Sequence, residues 1–235
     1  IGLGTSSQLV MNVGLHKVLP FDVERDLRLI GLVSRTPMLL AASAGGPRTI
    51  ADLIAQAKAQ PGKLSYGSAG LGSISHIVAE AFAKAADIQL LHVPYKGNGP
   101  AMADLAGGHV ALVFDGLSTT QPLAQQGKVR MLAISGSRRS PAAPELPTFA
   151  EQGLAHYEAY TWNCLFAPAK VAPEVLATLN AALNKALAAP AIQARLAAGG
   201  SDALGPSTPE QADTFARRER GQWVGFIRGL NLPAN

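Results

Sequence analysis

Apolar segments of strand length alternate with segments of helical periodicity along the first two thirds of the chain. Residues 64–68 and 90–93 predict short strands, and residues 73–85 between them carry apolar side chains on one helical face. A helix predicted over residues 48–60 ends at a Pro-Gly pair. Such alternation is typical of an α/β protein with a mainly parallel sheet.

The last third of the chain has a helical pattern. Residues 173–188 predict an amphipathic helix, and residues 190–198 predict another. Thr208 begins a third helix, because its hydroxyl is a good cap and the Pro and Glu that follow suit the first turn. The sequence therefore predicts an α/β part followed by a helical part.

Two extended segments, residues 32–43 and 157–168, are interpreted as crossings between two lobes, the first being too long for a strand within one small lobe. The second lobe is then residues 39–162, and the first lobe combines residues 1–38 with residues 163–235. Two lobes joined by two crossing strands suggest a hinged cleft, with the ligand at strand ends where loops meet helix N-termini.

Composition narrows the classes of function. The chain has 235 residues, of which 48% are hydrophobic and 15% charged, which is a globular composition. The net charge of +4 comes without a dense Lys/Arg stripe, so nucleic acid is not an expected partner. The longest apolar runs are too short to cross a bilayer. One cysteine and five histidines without metal-binding spacing predict no disulfide, no metal and no cofactor.

A Gly/Ser-rich loop between the predicted strand 64–68 and the predicted helix 73–85 is the most informative stretch. Such a loop is expected to expose free backbone N–H groups at a positive helix end, which favours an anion, and its glycines let the backbone approach the anion closely. The loop matches neither nucleotide-binding glycine motif, so the pattern indicates a small anion. A plain turn capped by Ser73 explains the same residues equally well.

Other strand-end residues are candidates for the same site. Tyr95 and Lys96 follow one predicted strand and Asp115 follows another, although each could instead pack or cap locally. Thr5 lies at a strand end of the first lobe, and Trp162 lies on the return crossing, where core packing is the alternative. Convergence of three loops of the second lobe on one sheet edge favours a binding site there.

A hydrolase or lyase using Ser73, His76 and Asp115 is the main alternative. No GxSxG elbow is present, and two of these residues lie three apart on one predicted helix. At that spacing the imidazole is expected to pack or cap and not to take the serine proton. No catalytic residue is therefore assigned.

Several segments, in this order along the chain, resemble those of the substrate-binding proteins of tripartite tricarboxylate transporters, the Bug or TctC family. The segments are Leu3-Gly4-Thr5-Ser6, Leu19-Pro20-Phe21-Asp22 with Asp26-Leu27, Ala57-Lys58-Ala59-Gln60-Pro61-Gly62-Lys63-Leu64-Ser65-Tyr66, Ser68-Ala69-Gly70 with Gly72-Ser73 and His76, His92-Val93-Pro94-Tyr95-Lys96-Gly97, Phe114-Asp115, Arg139-Ser140-Pro141 with Leu146-Pro147-Thr148, and Leu165-Phe166-Ala167-Pro168-Ala169.

The resemblance implies a two-lobed type II periplasmic binding-protein fold that closes on a small organic carboxylate, such as a di- or tricarboxylate, an acidic amino acid or an aromatic acid. It implies delivery to the membrane components of a transporter, a periplasmic location and no catalysis. Carried over position by position, it implies ligand contacts from both lobes. These residues are Thr5, Ser6, Ser68, Ala69, Gly70, Gly72, Ser73, His76, Tyr95, Lys96, Asp115 and Trp162.

One departure from the family pattern affects the first lobe. Family members begin with a strand, a Gly/Pro-rich loop and a helix before the point that matches Ile1. We therefore expect an N-terminally incomplete first lobe, weak or no binding, and a monomer that could associate through the unfilled position. A ligand-sensing regulatory domain of the same fold is a further alternative. The sequence does not identify the ligand.

Overall fold

The computed structural model describes residues 1–16, 18–155, 157–230 and 232. The chain forms two compact units. Unit 1 consists of Ile1–Thr36 with Thr161–Asn235, and unit 2 consists of Pro37–Tyr160. The sequence predicted lobe boundaries after residues 38 and 162, and these boundaries remain a prediction. The candidate residues fall in both units, and most of them lie in unit 2.

Unit 2 is built around a five-stranded sheet in the order β5-β4-β6-β3-β7. β4 is parallel to β5 and β6, whereas β3 is antiparallel to β6 and β7. The expectation of a mainly parallel sheet is thus wrong for the β3 side, because β3 runs opposite to both of its neighbours. The strands are β3 (Leu39–Ser43), β4 (Ser65–Ser68), β5 (Leu91–Pro94), β6 (Leu112–Asp115) and β7 (Val129–Ile134).

Helices cover both faces of this sheet. Alternate residues of β3 point to opposite faces, so Leu40 and Ala42 join one buried cluster while Leu39 and Ala41 join another. The helices are α2 (Ile50–Ala59), α3 (Ile74–Ala85), α4 (Asn98–Gly107) and α5 (Leu117–Gln125). The last two each begin directly after a glycine.

Unit 1 contains a four-stranded sheet in the order β1-β8-β2-β9 and a group of helices. Its strands are β1 (Gly2–Thr5), β2 (Leu27–Pro37), β8 (Tyr160–Pro168) and β9 (Asp202–Ala203). Its helices are a π-helical segment (Ser7–Met11), α1 (Asn12–Leu15), α6 (Pro173–Leu187), α7 (Pro190–Ala198) and α8 (Pro209–Gly229). The expected cap of α8 is present: Thr208 and Gln211 form a capping box.

The first predicted crossing is two strands instead of one. β2 ends at Pro37 and β3 begins at Leu39. Pro37 has no N–H for a ladder hydrogen bond, and the next amide, that of Met38, donates to Ser135 Oγ at 2.9 Å. This proline therefore separates a strand of unit 1 from a strand of unit 2.

Among the described residues no single helix is long and apolar enough to span a bilayer, and one pair, α6 with α7, passes the same test together but is bent by 69°.

Candidate functional site

The loops after β4, β5 and β6 meet at one edge of the sheet of unit 2, because these neighbouring strands run in the same direction. Backbone hydrogen bonds join the first two loops: Tyr95 N–H donates to Ser68 O at 3.0 Å, and Gly97 N–H donates to Ala69 O at 3.0 Å. α3 begins directly after the first of these loops, which we call the anion loop (residues 68–73). The edge expected from the sequence thus forms.

A chain of side-chain hydrogen bonds holds the three loops together. Ala69 N–H donates to Ser75 Oγ at 2.9 Å, and Ser75 Oγ donates to Asn98 Oδ1 at 3.0 Å. Asn98 Nδ2 donates in turn to Asp115 Oδ1 at 2.9 Å. Ser75 and Asn98 are not among the site residues predicted from the sequence. The signal was available, since each is a short polar residue in the first turn of a helix that follows a glycine-containing loop.

Replacing Asn98 with alanine is expected to lower the free energy of unfolding of unit 2 by about 2 kcal/mol. The variant removes the acceptor of the Ser75 hydroxyl and a donor to the Asp115 carboxylate, and hydrogen bonds to charged groups contribute about 1.5–3 kcal/mol. Urea unfolding followed by far-ultraviolet circular dichroism measures the loss. The control is Gln89→Ala at an exposed position of unit 2, and equal stability of the two variants would contradict the assigned role.

The amides of the anion loop are not all available to a ligand, which corrects the expectation of a loop of free N–H groups. Ala69 N–H is bound to Ser75 Oγ, Gly70 N–H donates to Ser68 Oγ at 3.1 Å, and Gly72 N–H donates to His76 Nδ1 at 3.0 Å. Side chains occupy these amides because the loop folds back onto its own helix. Of the first-turn amides of α3, that of His76 donates to Ser73 Oγ at 3.4 Å and that of Ile77 to Ser73 O at 3.0 Å, which leaves the amides of Ile74 and Ser75 as donors at its positive end.

Gly70 has a positive φ of 129°, a conformation that side-chain-bearing residues rarely adopt. A Cβ at this position would lie 3.1 Å from the carbonyl oxygen of Tyr95. The anion loop therefore requires glycine here both for its turn and for its close approach to the neighbouring loop.

Two stacked histidine rings form hydrogen bonds to the anion loop. His76 and His92 stack with centroids 3.9 Å apart and planes within 9°, and the ring of Tyr66 continues the stack 4.9 Å from His92. His92 Nε2 shares a hydrogen bond with Ser68 Oγ at 2.6 Å. Each histidine thus holds one end of the loop. His92 and Tyr66 were not candidates in the sequence analysis, because their contact arises from the pairing of β4 with β5.

The stack is uncharged near neutral pH. Burial, together with the adjacent His92, lowers the pKa of His76 to about 4. Burial also lowers the pKa of His92 below its usual value. The Tyr66 hydroxyl donates to Glu80 Oε1, and burial followed by this contact raises the pKa of Tyr66 far above its usual value.

Ser73, His76 and Asp115 are not arranged as the catalytic residues of a hydrolase. Ser73 Oγ donates to Gly70 O at 2.7 Å and accepts the backbone N–H of His76 at 3.4 Å. Asp115 Oδ1 accepts from Gly116 N–H at 2.8 Å as well as from the Asn98 side chain. Among the described residues, no hydrogen bond links the side chains of Ser73, His76 and Asp115. Ser73 therefore caps α3 and His76 binds the anion loop, and these two residues do not form a proton relay with Asp115.

The remaining candidates of unit 2 lie on the second loop. The Tyr95 hydroxyl donates to Asp104 Oδ2 at 2.6 Å, and this bond raises the pKa of Tyr95 to about 12. Lys96 is exposed. Tyr95 is therefore held against α4, while Lys96 is accessible at the rim of the loops.

The candidates of unit 1 are partly buried in its own packing. Thr5 and Gln8 are bound reciprocally at the start of the π-helical segment, and Ser6 is fully buried with Oγ 3.2 Å from Thr161 Oγ1. Trp162 is 1% exposed, and its Nε1 donates to Glu219 Oε2 at 3.2 Å. Ligand contacts from Ser6 and Trp162 remain predictions, and they would require these side chains to leave their present packing.

Within the described residues no group of three or more His, Cys, Asp or Glu side chains is placed to hold a metal ion. His156, one of the five histidines of the sequence, lies outside these residues.

Comparison with known proteins places this arrangement in a family. The model described as the tripartite tricarboxylate transporter family receptor, TctC, matches residues 1–232. This chain belongs to that family. Protein BugT of Bordetella pertussis is 33% identical over 228 residues, which is 95% of this chain and 69% of BugT. The expectation drawn from the segments of the sequence is thereby confirmed.

Solved structures of similar sequence share the fold. R. palustris Rpa4515 with adipate superposes with a TM-score of 0.89 at 30% identity, over 97% of this chain and 77% of that one. The periplasmic binding protein BugD gives 0.86 at 29% identity, over 98% and 77%. MatC from Rhodopseudomonas palustris with bound malate gives 0.85 at 26% identity, over 96% and 78%. The α/β periplasmic binding-protein fold is thus confirmed, and the family to which this chain belongs is one of transporter receptors.

Proposed function

We propose that this chain is a periplasmic receptor that binds a small organic carboxylate and presents it to the membrane components of a tripartite tricarboxylate transporter, without catalysing a reaction. The observation that carries the proposal is its likeness, at a TM-score of 0.89 and 30% identity, to a family member solved with adipate. A second relative is described with malate. Both ligands are dicarboxylates, so we propose this class first, ahead of tricarboxylates, acidic amino acids and aromatic acids.

The edge of unit 2 supplies a physical basis for carboxylate binding. The anion loop leads into the positive end of α3, where first-turn amides attract negative charge. Ser73 contributes a half-buried hydroxyl at the same position, and Lys96 adds a positive charge on the neighbouring loop. We propose that the amides of Ile74 and Ser75 bind one carboxylate together with the Ser73 hydroxyl, which turns from Gly70 O to do so. Ser68, Ala69, Gly70 and Gly72 then shape the loop.

Thermal unfolding in the presence of organic acids tests the proposal. The panel consists of adipate, malate, citrate, glutamate and nicotinate, and 1,6-hexanediol serves as an uncharged control of the same length as adipate. A ligand present at a hundredfold excess over its dissociation constant stabilises the folded state by about 2.7 kcal/mol, so a saturable rise of the midpoint is expected. The absence of a rise with every acid would reject the ligand class.

Two further measurements locate the site and separate a receptor from an enzyme. Ser73→Ala is expected to weaken binding about fivefold, whereas Ser118→Ala, at an exposed position on α5, is expected to leave it unchanged. Proton NMR of the acid after prolonged incubation should show it intact. If the wild type converted the acid chemically and Ser73→Ala did not, the result would instead favour the hydrolase or lyase.

A further inference from the structure

His76 contacts the anion loop through one specific ring atom. Its Nδ1 accepts the N–H of Gly72 at 3.0 Å, and Gly72 is buried immediately before the cap of α3. A nitrogen that accepts a hydrogen bond carries no proton, so the neutral ring has its proton on Nε2. The ring is 2% exposed and is covered by His92 on one face.

The surroundings of His76 keep it from acting on a ligand directly. On its own helix, Glu80 Oε1 lies 4.0 Å from Nε2. From β5, His92 stacks on the ring, and from β4 the Tyr66 ring lies parallel at a centroid distance of 6.3 Å while its hydroxyl binds Glu80. Both nitrogens of His76 are thus directed at groups of unit 2.

We propose that His76 is a positioning residue, which fixes the amide of Gly72 and thereby holds the anion loop in the conformation that binds a carboxylate. This inference rests on the proposed function, because it assigns the loop to ligand binding. It also replaces the direct ligand contact that the family resemblance implied for His76. Protonation of Nδ1 would set two N–H groups against each other, so the charged ring releases the loop.

Two amide substitutions of nearly equal size separate positioning from packing. In His76→Asn the side-chain oxygen takes the place of Nδ1 and accepts the Gly72 N–H, whereas in His76→Gln the amide reaches the place of Nε2 and leaves that N–H unpaired. We expect His76→Gln to bind adipate about tenfold more weakly than wild type at pH 7.5, and His76→Asn to recover most of this loss. His109→Gln, an exposed histidine of unit 2, is the control.

The measurements are dissociation constants from calorimetry, taken at a temperature at which every variant is folded. The affinity of wild type relative to His76→Asn should also fall at least twofold between pH 7.5 and pH 4, because only the wild-type ring gains a proton; the ratio cancels the titration of adipate. Equal affinities of His76→Gln and His76→Asn would overturn the proposal, since a merely structural role alters stability but not affinity.

Hydrogen exchange of the Gly72 amide in the ligand-free protein gives an independent test. We expect this amide to exchange at least tenfold faster in His76→Gln than in wild type, and to stay protected in His76→Asn. This result would support the positioning role even if none of the acids bound, in which case the proposed function alone would fail. Unchanged exchange in His76→Gln would overturn the role of His76, whether or not adipate binds.

Discussion

Replacement of Phe82 by alanine is expected to lower the free energy of unfolding by about 4 kcal/mol. Phe82 is fully buried on α3, and its ring lies 5.8 Å from Phe114, 5.5 Å from Phe149 and 5.8 Å from Tyr157, measured between centroids. Truncation removes both the transfer free energy of the ring and its aromatic contacts, and it leaves a cavity that the sheet cannot fill.

Urea unfolding followed by circular dichroism measures this loss, with fluorescence as a second probe. Both tryptophans of the chain, Trp162 and Trp223, lie in unit 1, so fluorescence reports on unit 1 while the Phe82 site lies in unit 2. Phe82→Leu should cost less because it leaves a smaller cavity, and Leu91→Ala, at an exposed side chain of unit 2, should cost at most about 0.5 kcal/mol. A loss below 1 kcal/mol in Phe82→Ala would contradict this account.

Acidification from pH 6.5 to pH 4 is expected to lower the free energy of unfolding through His76 by up to about 3 kcal/mol. Burial depresses the pKa of this ring from 6.5 in the unfolded chain to about 4 in the folded chain. Between these values the unfolded chain binds more protons than the folded one. The stabilisation is therefore complete above pH 6.5 and is lost as the pH falls toward 4.

The contribution of His76 is isolated by the difference between wild type and His76→Asn, since the asparagine cannot be protonated. Urea unfolding of both proteins at pH 7.5, 6, 5 and 4 should give curves that converge as the pH falls. His92 and the carboxylates titrate in both proteins, so their effects largely cancel in this difference. Parallel curves over the whole range would show that the His76 ring is protonated equally readily in the folded and unfolded chains.

The three-loop edge of unit 2 illustrates how local pattern determined part of the site. Ser73 follows a glycine and precedes an apolar helical period, so its role as the cap of α3 is encoded within a few residues. The strand before this loop and the helix after it are also predictable from short segments of the sequence. The segments that resemble the TctC family predicted the fold, because in combination they are more specific than any pattern of apolar residues.

The pairs that hold the anion loop depend on contacts distant in sequence. Strand register sets Tyr66 beside His92, and this pairing brings His92 against His76. Asn98 reaches Asp115 only because β4, β5 and β6 lie side by side. Local patterns mark Ser75 and Asn98 as polar first-turn residues, but they do not specify the register of strands separated by a helix. The histidine stack and the pairing of Ser75 with Asn98 were therefore not predictable from them.

The sequence by itself determined the alternation of strands and helices, the cap of α3, the glycine-rich anion loop and the family. These features depend on local propensity, hydrophobic period and short motifs. Only the tertiary structure decided that β3 is antiparallel to its neighbours, that loop amides are occupied by Ser75, Ser68 and His76, and that Trp162 packs inside unit 1. The physical reason is that buried polar groups take whichever partner the folded chain brings within hydrogen-bonding distance.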